Sequence, residues 1–531
     1  MYDLCIIGSG AGAAPLIYEF TKAGKSVAVI EKGKHYKRDD FSKDEIAYTK
    51  RDIFTPSLQE EYHTIVKNKR LYSSFEADFS FWNGSLVGGS SNFMSGYFHR
   101  LDSDDFRLLS KYGAIEGANI VDWPIDSHDM QKYYDKVERL VGVSGLKSPY
   151  PPTLEHSISK LIDTTAKDLC MDIKQTKRAI LTKNMHSRES CYYSNYCGSY
   201  GCSSGAKGSA LEALINPVLG LKNLTLLCES FAIRLIEKNN NVDQVVYIDT
   251  KTQKQHKLQA KLFIVACGAI ESSRLLLNSK SQSFPNGLAN NSANVGKNLL
   301  FSAGGIVEAT FDHTTMPLVQ LLEQGYFINR YFEDLYKHKK GGMIEFVFEH
   351  ANPIRKADRH KWDSSNNLLW GEKLYEKLYE KFTQQRVLNA EIFNDWIPHD
   401  KCYVSIDEKH KDKYGVNVAR VAIDAHPHNS RVAQHLAKQA IKVFKAMGAK
   451  EIQNKITTLP PTNLQAGGCR FGDDAKTSVL NKYCQSHEVK NLFVTDGSFM
   501  PTGGSIPYTF TIYANAFRVA QYISQNWEKI V

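Results

Sequence analysis

Tyr2–Ile7 reads YDLCII, Gly8–Gly24 continues directly as GSGAGAAPLIYEFTKAG, and Ser26–Gly33 closes the run as SVAVIEKG. The first six residues form a short, largely apolar run and predict a buried strand. Leu16, Ile17 and Phe20 then recur at helical spacing up to Gly24, and SVAVI predicts a second buried strand. Between strand and helix lie Gly8, Gly10, Gly12 and Ala13. Gly8 suits the tight turn, and Gly10 lets a pyrophosphate approach the backbone. Ala13 keeps helix and strand close, and the free N–H groups of the helix start face the phosphates. Glu31, 23 positions after Gly8, is placed to accept hydrogen bonds from ribose hydroxyls. The run predicts a dinucleotide site; by itself it leaves FAD and NAD open.

The chain has 531 residues, 42% of them hydrophobic and 23% charged, which excludes a disordered protein. Ten cysteines in this length do not make a disulfide framework. The net charge of +9 is mild, and no dense Lys/Arg block supplies a nucleic-acid footprint. Lys337–Lys340 (KHKK) reads as a solvated loop face. No stretch approaches 18 apolar residues, so no membrane span is expected. The opening strand starts at Tyr2 without a basic leader, which predicts a cytoplasmic product, or one exported only through a partner.

Three distant segments extend the nucleotide unit. Gly84–Arg100 (GSLVGGSSNFMSGYFHR) is a Gly/Ser-rich loop. From Leu262, LFIVACGAIESSRLLLNS reads as a buried strand and an amphipathic helix. Asn491–Ile523 (NLFVTDGSFMPTGGSIPYTFTIYANAFRVAQYI) reads as strand, Asp-Gly turn, loop and long helix.

Together with DWPIDSHDMQKYYDKVERLVGVSG (Asp122–Gly145), these segments resemble the glucose–methanol–choline (GMC) oxidoreductases end to end. The resemblance implies an α/β fold: a discontinuous Rossmann-like FAD-binding domain plus an α+β substrate domain with an antiparallel sheet. The expected boundaries are 1–300 for the FAD domain, 301–459 for the substrate domain and 460–531 for the return. The resemblance implies that Gly8, Gly10, Gly12, Ala13 and Glu31 hold the ADP half of FAD. It implies that Gly88, Gly89, Ser90 and Asn92 run beside pyrophosphate and flavin, and that Asp496 and Gly497 contact the ribityl–pyrophosphate region. A helix from about Thr511 would aim its positive end at the flavin. Two strands, LNAEIFNDWI and KCYVSID, look like the family's antiparallel substrate-side sheet. His426 and His428, beside a proline before a helix, read as surface or capping residues, and His99 reads as structural.

Cys191–Ser209 (CYYSNYCGSYGCSSGAKGS), within an insertion of about 185–209, gathers Cys191, Cys197 and Cys202 as C-x5-C-x4-C. Converging thiolates can bind metal. The block resembles the cysteine segment of the catalytic subunits of bacterial gluconate, fructose and glucose dehydrogenases. There three cysteines hold a [3Fe–4S] cluster that feeds a cytochrome partner. The first spacing agrees with that subgroup and the second is one residue longer. An iron–sulfur cluster, structural thiols or a disulfide, and zinc all stay open. A small subunit and a cytochrome-type acceptor are the implied partners.

Oxidising a CH–OH carbon needs a group to take the hydroxyl proton. In most members of the family a His supplies it, with an Asn or His partner on the C-terminal loop. Aligned on Gly467–Gly468 and on Thr509–Ile512, the two positions hold Leu464 and Pro507. Neither can accept a proton, and the adjacent Gln465 is a poor base. The expected function is FAD-dependent oxidation of a sugar, polyol or sugar-derived hydroxyl, with an unassigned base from the substrate domain. The alternative is a flavin-binding protein without ordinary alcohol oxidation.

Overall fold

The computed structural model describes residues 1–48, 53–67, 69–76, 81, 83–315, 327–337, 339–459 and 461–531. The opening run folds as its pattern predicts. Strand β1 (Tyr2–Ile7) leads into helix α1 (Ala14–Lys22) and then β2 (Val27–Ile30), and β1 and β2 pair in parallel. β9 (Gln255–Val265) lies on the other side of β1. It also pairs with β17 (Leu492–Val494), and β6 (Leu224–Leu227) pairs with β2, all in parallel. The hydrophobic runs of β1, β2, β17 and the C-terminal part of β9 are buried on both faces, as a covered parallel sheet requires, and β6 at the edge is half-buried. β7 (Ser230–Lys238) and β8 (Asn241–Asp249) form an antiparallel meander with the N-terminal part of β9, completing a seven-stranded sheet.

A second sheet has six strands in the order β16-β10-β13-β12-β11-β5. They are β16 (Glu451–Asn454), β10 (Ala303–Asp312), β13 (Gln385–Asn394), β12 (Lys339–Phe348), β11 (Phe327–Tyr336) and β5 (Lys174–Gln175). Every pairing in it is antiparallel. β13 alternates: Leu388, Ala390 and Ile392 are buried with Val432, Leu436 and Ala440 of the helix Pro427–Ala446, while Glu391 and Phe393 point the other way.

The two strands LNAEIFNDWI and KCYVSID do not share a sheet. LNAEIFN belongs to β13 of this sheet, but KCYVSID forms β14 (Tyr403–Lys411) in a separate four-stranded sheet. There β14 pairs with β15 (Asn417–Ala422), β15 with β3 (Thr64–Lys67), and β3 with β4 (Arg70–Ser73). An alternating strand records which of its faces is apolar, not which strand it will meet. Among the described residues, no helix is long and apolar enough to cross a membrane.

Candidate functional site

A cavity of about 650 Å³ runs from the β1–α1 turn to the face of the six-stranded sheet. That volume lies within the range of small-molecule and cofactor sites. Gly8, Gly10, Gly12, Glu31, Gly89, Ser90, Asp496 and Gly497 line it. The structure thus brings together residues drawn from three distant segments. Ala13, Gly88 and Asn92 stand behind this wall. Asn92 donates from its amide to the carbonyls of Val87 (3.0 Å) and Gly89 (2.9 Å), bracing the loop rather than facing the cavity.

The cradle is tightly built. A Cβ on Gly12 would lie 2.6 Å from the backbone of Asp496 and Thr495, so this close packing of turn against β17 admits only glycine. A Cβ on Gly10 would meet nothing within 4 Å and would stand in the open space where a phosphate can approach. Glu31 is buried. Its carboxylate accepts from the Ser9 hydroxyl and from the Gly33 N–H (2.8 Å), while Ser9 Oγ accepts from the Gly88 N–H (3.0 Å). Burial raises the Glu31 carboxyl above the ordinary range, with the bonds from Ser9 and Gly33 opposing that shift. A ribose diol would add further donors to the ionised form. The Asp496 carboxylate takes the Gly268 N–H (2.9 Å), the Ser272 hydroxyl, and both the N–H and hydroxyl of Ser498, so it serves as a structural clasp at the cavity wall. Helix Thr509–Gln525 begins at the cavity with no side-chain cap, and Pro507, Tyr508 and Thr509 line the wall. Its free N–H groups are a positive end suited to an anion. The donors, the space beside Gly10 and the buried acid fit a dinucleotide such as FAD.

Leu464 and Pro507 both line the same cavity. Leu464 adopts φ +52°, a strained region for a branched residue, and Gln465 donates to Asn83 Oδ1 (2.7 Å) and to the Phe81 carbonyl (3.1 Å). No proton acceptor arises at either position. The cavity wall instead supplies groups that the sequence reading missed: Tyr97 from the Gly84–Arg100 loop, Glu391 and His350 from the sheet side, and Tyr508 before the C-terminal helix. The Tyr97 hydroxyl donates to Glu391 Oε2 at 2.6 Å. Burial, with Glu345 adding to it, raises the Glu391 carboxyl above the usual range, against the Tyr97 bond and the Arg178 charge. Glu391 could have been noticed as a lone acid on an apolar alternating strand. On the sequence, that pattern equally suits a solvent-facing acid.

The histidines read as non-catalytic stand elsewhere. His426 caps the helix Pro427–Ala446, its Nδ1 accepting from the His428 N–H at 3.2 Å. Burial lowers His428 to about 4. His99 lies behind the cavity wall, its Nε2 3.7 Å from Glu345. Lys340, read as part of a solvated run, is only 15% exposed and pairs with Asp102 and Asp105; His338 of that run lies outside the described residues.

The cysteine loop departs from the metal expectation. All three thiols are free and half-buried, and among the described residues no group of three or more His, Cys, Asp or Glu is arranged to hold a metal ion. Cys191 Sγ accepts from the Tyr193 N–H (3.3 Å) and Cys202 Sγ from the Lys207 N–H (3.4 Å). Each of these two sulfurs is held by a backbone N–H of its own local turn. Nothing in this arrangement supports a cluster or a zinc site at the loop.

Two family models, both described as GMC oxidoreductase, match residues 23–302 and 398–516. The 2-methyl-1,2-propanediol dehydrogenase of Mycolicibacterium austroafricanum is 27% identical, spanning 100% of this chain and 96% of the relative. The gluconate 2-dehydrogenase flavoprotein of Pantoea cypripedii is 22% identical over 99% of this chain and 94% of its own. Among solved structures, pyridoxine 4-oxidase from Mesorbium loti superposes with a TM-score of 0.64 at 15% identity, covering 99% of each chain. It shares the fold.

Proposed function

The chain belongs to the GMC oxidoreductase family, FAD-dependent enzymes acting on CH–OH donors, and we propose that its own donor is a sugar, polyol or sugar-derived hydroxyl. The observation that carries this reading is the single cavity joining the glycine cradle to the substrate-side sheet. FAD, when bound, supplies the acceptor for the hydride of the C–H bond. The chain's residues do the rest. Gly8, Gly10, Gly12 and Glu31 would bind the ADP half. Gly89, Ser90, Asp496 and Gly497 would follow the chain toward the flavin, with Ala13, Gly88 and Asn92 holding those loops in shape. The uncapped start of helix Thr509–Gln525 would favour negative charge at the flavin. Domain limits of 1–300, 301–459 and 460–531 remain part of the proposal.

The relatives support a hydroxylated substrate by the diol and the gluconate in their names. A protein acceptor also remains part of the reading. It would draw its electrons from the flavin; among the described residues the cysteine loop is not arranged as a metal-binding group.

The test is anaerobic mixing of the FAD-loaded protein with a panel of sugars, polyols and sugar acids. Bleaching of the flavin by at least one of them is the expected result. No bleaching by any, together with stoichiometric FAD, would favour the second reading: a flavin-binding protein without alcohol oxidation, which Leu464 and Pro507 motivate.

A further inference from the structure

We propose that Glu391, held by the Tyr97 hydroxyl on the cavity face of the six-stranded sheet, is the proton acceptor for the oxidised hydroxyl, the role that Leu464 and Pro507 cannot fill. The proposal rests on the CH–OH reading above.

The geometry selects this residue. Alternation along β13 sends Glu391 and Phe393 to the cavity, and Ile306, the register partner of Glu391 on β10, lines it as well. The other cavity carboxylates are already engaged. Glu31 is held by Ser9 and Gly33, Glu271 by His63 (2.7 Å) and Arg274 (3.3 Å), Glu61 by Lys32 and Lys413, and Asp496 by its four donors. Glu391 accepts one hydrogen bond, at Oε2, and its remaining oxygen is available to a substrate hydroxyl. On the far side, β12 places Glu345 in register with Glu391, fully buried and paired to Arg178 at 3.0 Å. The Tyr508 phenol is buried and raised well above its ordinary value, so it does not compete as a base.

The step balances as follows. The substrate O–H bond breaks and its proton goes to Glu391 Oε1, giving a neutral carboxylic acid. With FAD bound, the cofactor would supply the acceptor for the carbon's hydrogen and both electrons of its C–H bond, leaving the C–O bond as a carbonyl. The substrate would lose two electrons, the two that bound FAD can accept.

The ionised carboxylate is the working form, so the rate of flavin reduction should rise with pH through the Glu391 transition. The groups that set this transition are Tyr97 from the Gly84–Arg100 loop, Arg178 from the segment after β5, and Glu345 from β12, with His99 beyond Glu345. Burial and Glu345 raise it; Tyr97 and Arg178 lower it. Tyr97 is a positioning residue: losing its hydroxyl should move the transition upward.

The experiment measures flavin reduction against pH in the FAD-loaded wild type and in E391Q, Y97F and H350Q. It uses the panel compound that bleaches the wild type fastest. E391Q should retain FAD and its melting temperature, slow by about 10²–10⁴-fold, and lose the rising limb. Y97F should shift the limb to higher pH, and H350Q should keep it. A second, turnover-independent measurement is infrared titration of the loaded protein. It should reveal a protonated-carboxyl band, titrating above the ordinary glutamate range, that is missing in E391Q. An E391Q protein with wild-type rate and limb, or with that band intact, overturns the proposal while leaving the CH–OH reading standing. A wild type reduced by no hydroxylated compound overturns the CH–OH reading itself, and the proposal falls with it.

Discussion

Arg178 Nη2 donates to Glu345 Oε1 at 3.0 Å, and both side chains are fully buried. The same guanidinium donates to the Ser95 carbonyl (2.9 Å) and to Asn329 Oδ1, while the Thr176 hydroxyl also donates to Glu345 Oε1 (2.7 Å). One arginine thereby ties the Gly84–Arg100 loop to β11 and β12, fixing the cradle side of the cavity relative to the sheet side. A buried charge without its partner is expensive. Arg178→Met should lower stability by about 3–5 kcal/mol. Pairing it with Glu345→Leu should recover much of that loss, because the second change removes the orphaned carboxylate. Denaturation midpoints of the two single variants and the double variant give the coupling; strictly additive losses would mean the pair is not interacting.

The two glycines of the cradle should fail differently. Gly12→Ala forces a methyl into the backbone of Asp496 and Thr495 at 2.6 Å, so turn and β17 must separate. This variant should lose both apoprotein melting temperature and FAD. Gly10→Ala places its methyl in open space, so the apoprotein should melt as the wild type does. Its FAD affinity should nevertheless drop by at least about tenfold, some 1.4 kcal/mol, because the methyl occupies the approach to the phosphates. Calorimetry of the apoproteins and fluorescence titration with FAD separate the two. Equal loss of apoprotein stability in both would contradict the packing described.

The nucleotide half was legible because its logic is local. From Tyr2 to Gly33, strand, turn, helix, strand and acid are contiguous, and each residue's task follows from its place in the turn. The rest depends on contacts the chain order does not record. KCYVSID has a strand's alternation, yet its sheet is decided by β15 and β3, the latter more than 300 residues earlier. Glu391 alternates correctly, but only the burial of Leu388, Ala390 and Ile392 under the helix Pro427–Ala446 makes its face the cavity face. The cysteine spacing puts three thiols in one loop, and what each sulfur touches there depends on the turn it sits in. Cys191 and Cys202 face the N–H groups of Tyr193 and Lys207.

Those two thiols should also react unequally. Burial pushes Cys191 up to about 12. Burial acts on Cys202 in the same sense, but the Lys207 ammonium, the Lys207 N–H and the Ser204 hydroxyl outweigh it and bring this thiol below its ordinary value. At mildly alkaline pH, iodoacetamide should therefore label Cys202 before Cys191, read by peptide mass spectrometry over time. Anaerobically purified protein should carry FAD without iron, and Cys191→Ser should leave FAD content unchanged. An iron–sulfur EPR signal that disappears with that substitution would reinstate the cluster.

Asp395 follows β13 and is 8% exposed, with neither carboxylate oxygen in a full hydrogen bond. Burial, reinforced by nearby Asp105, pushes it up to about 8, against the pull of Lys340 and the N–H groups of Gly504 and Gly503. In the unfolded chain an aspartate ionises near about 3.9. Below that pH both states hold the proton and the group contributes no pH dependence. Between about 4 and 8 the unfolded state ionises while the folded state stays neutral, so stability falls as pH rises; above about 8 the loss levels off. Asp395→Asn removes the titration and leaves a neutral amide whose burial costs the same at every pH. Relative to this variant, the wild type should lose up to about 1.4 kcal/mol per pH unit across the window. Melting curves of both proteins from pH 4 to 9 should diverge steadily with rising pH, starting from a fixed offset. Parallel curves across the whole range would mean that Asp395 is ionised in the folded protein.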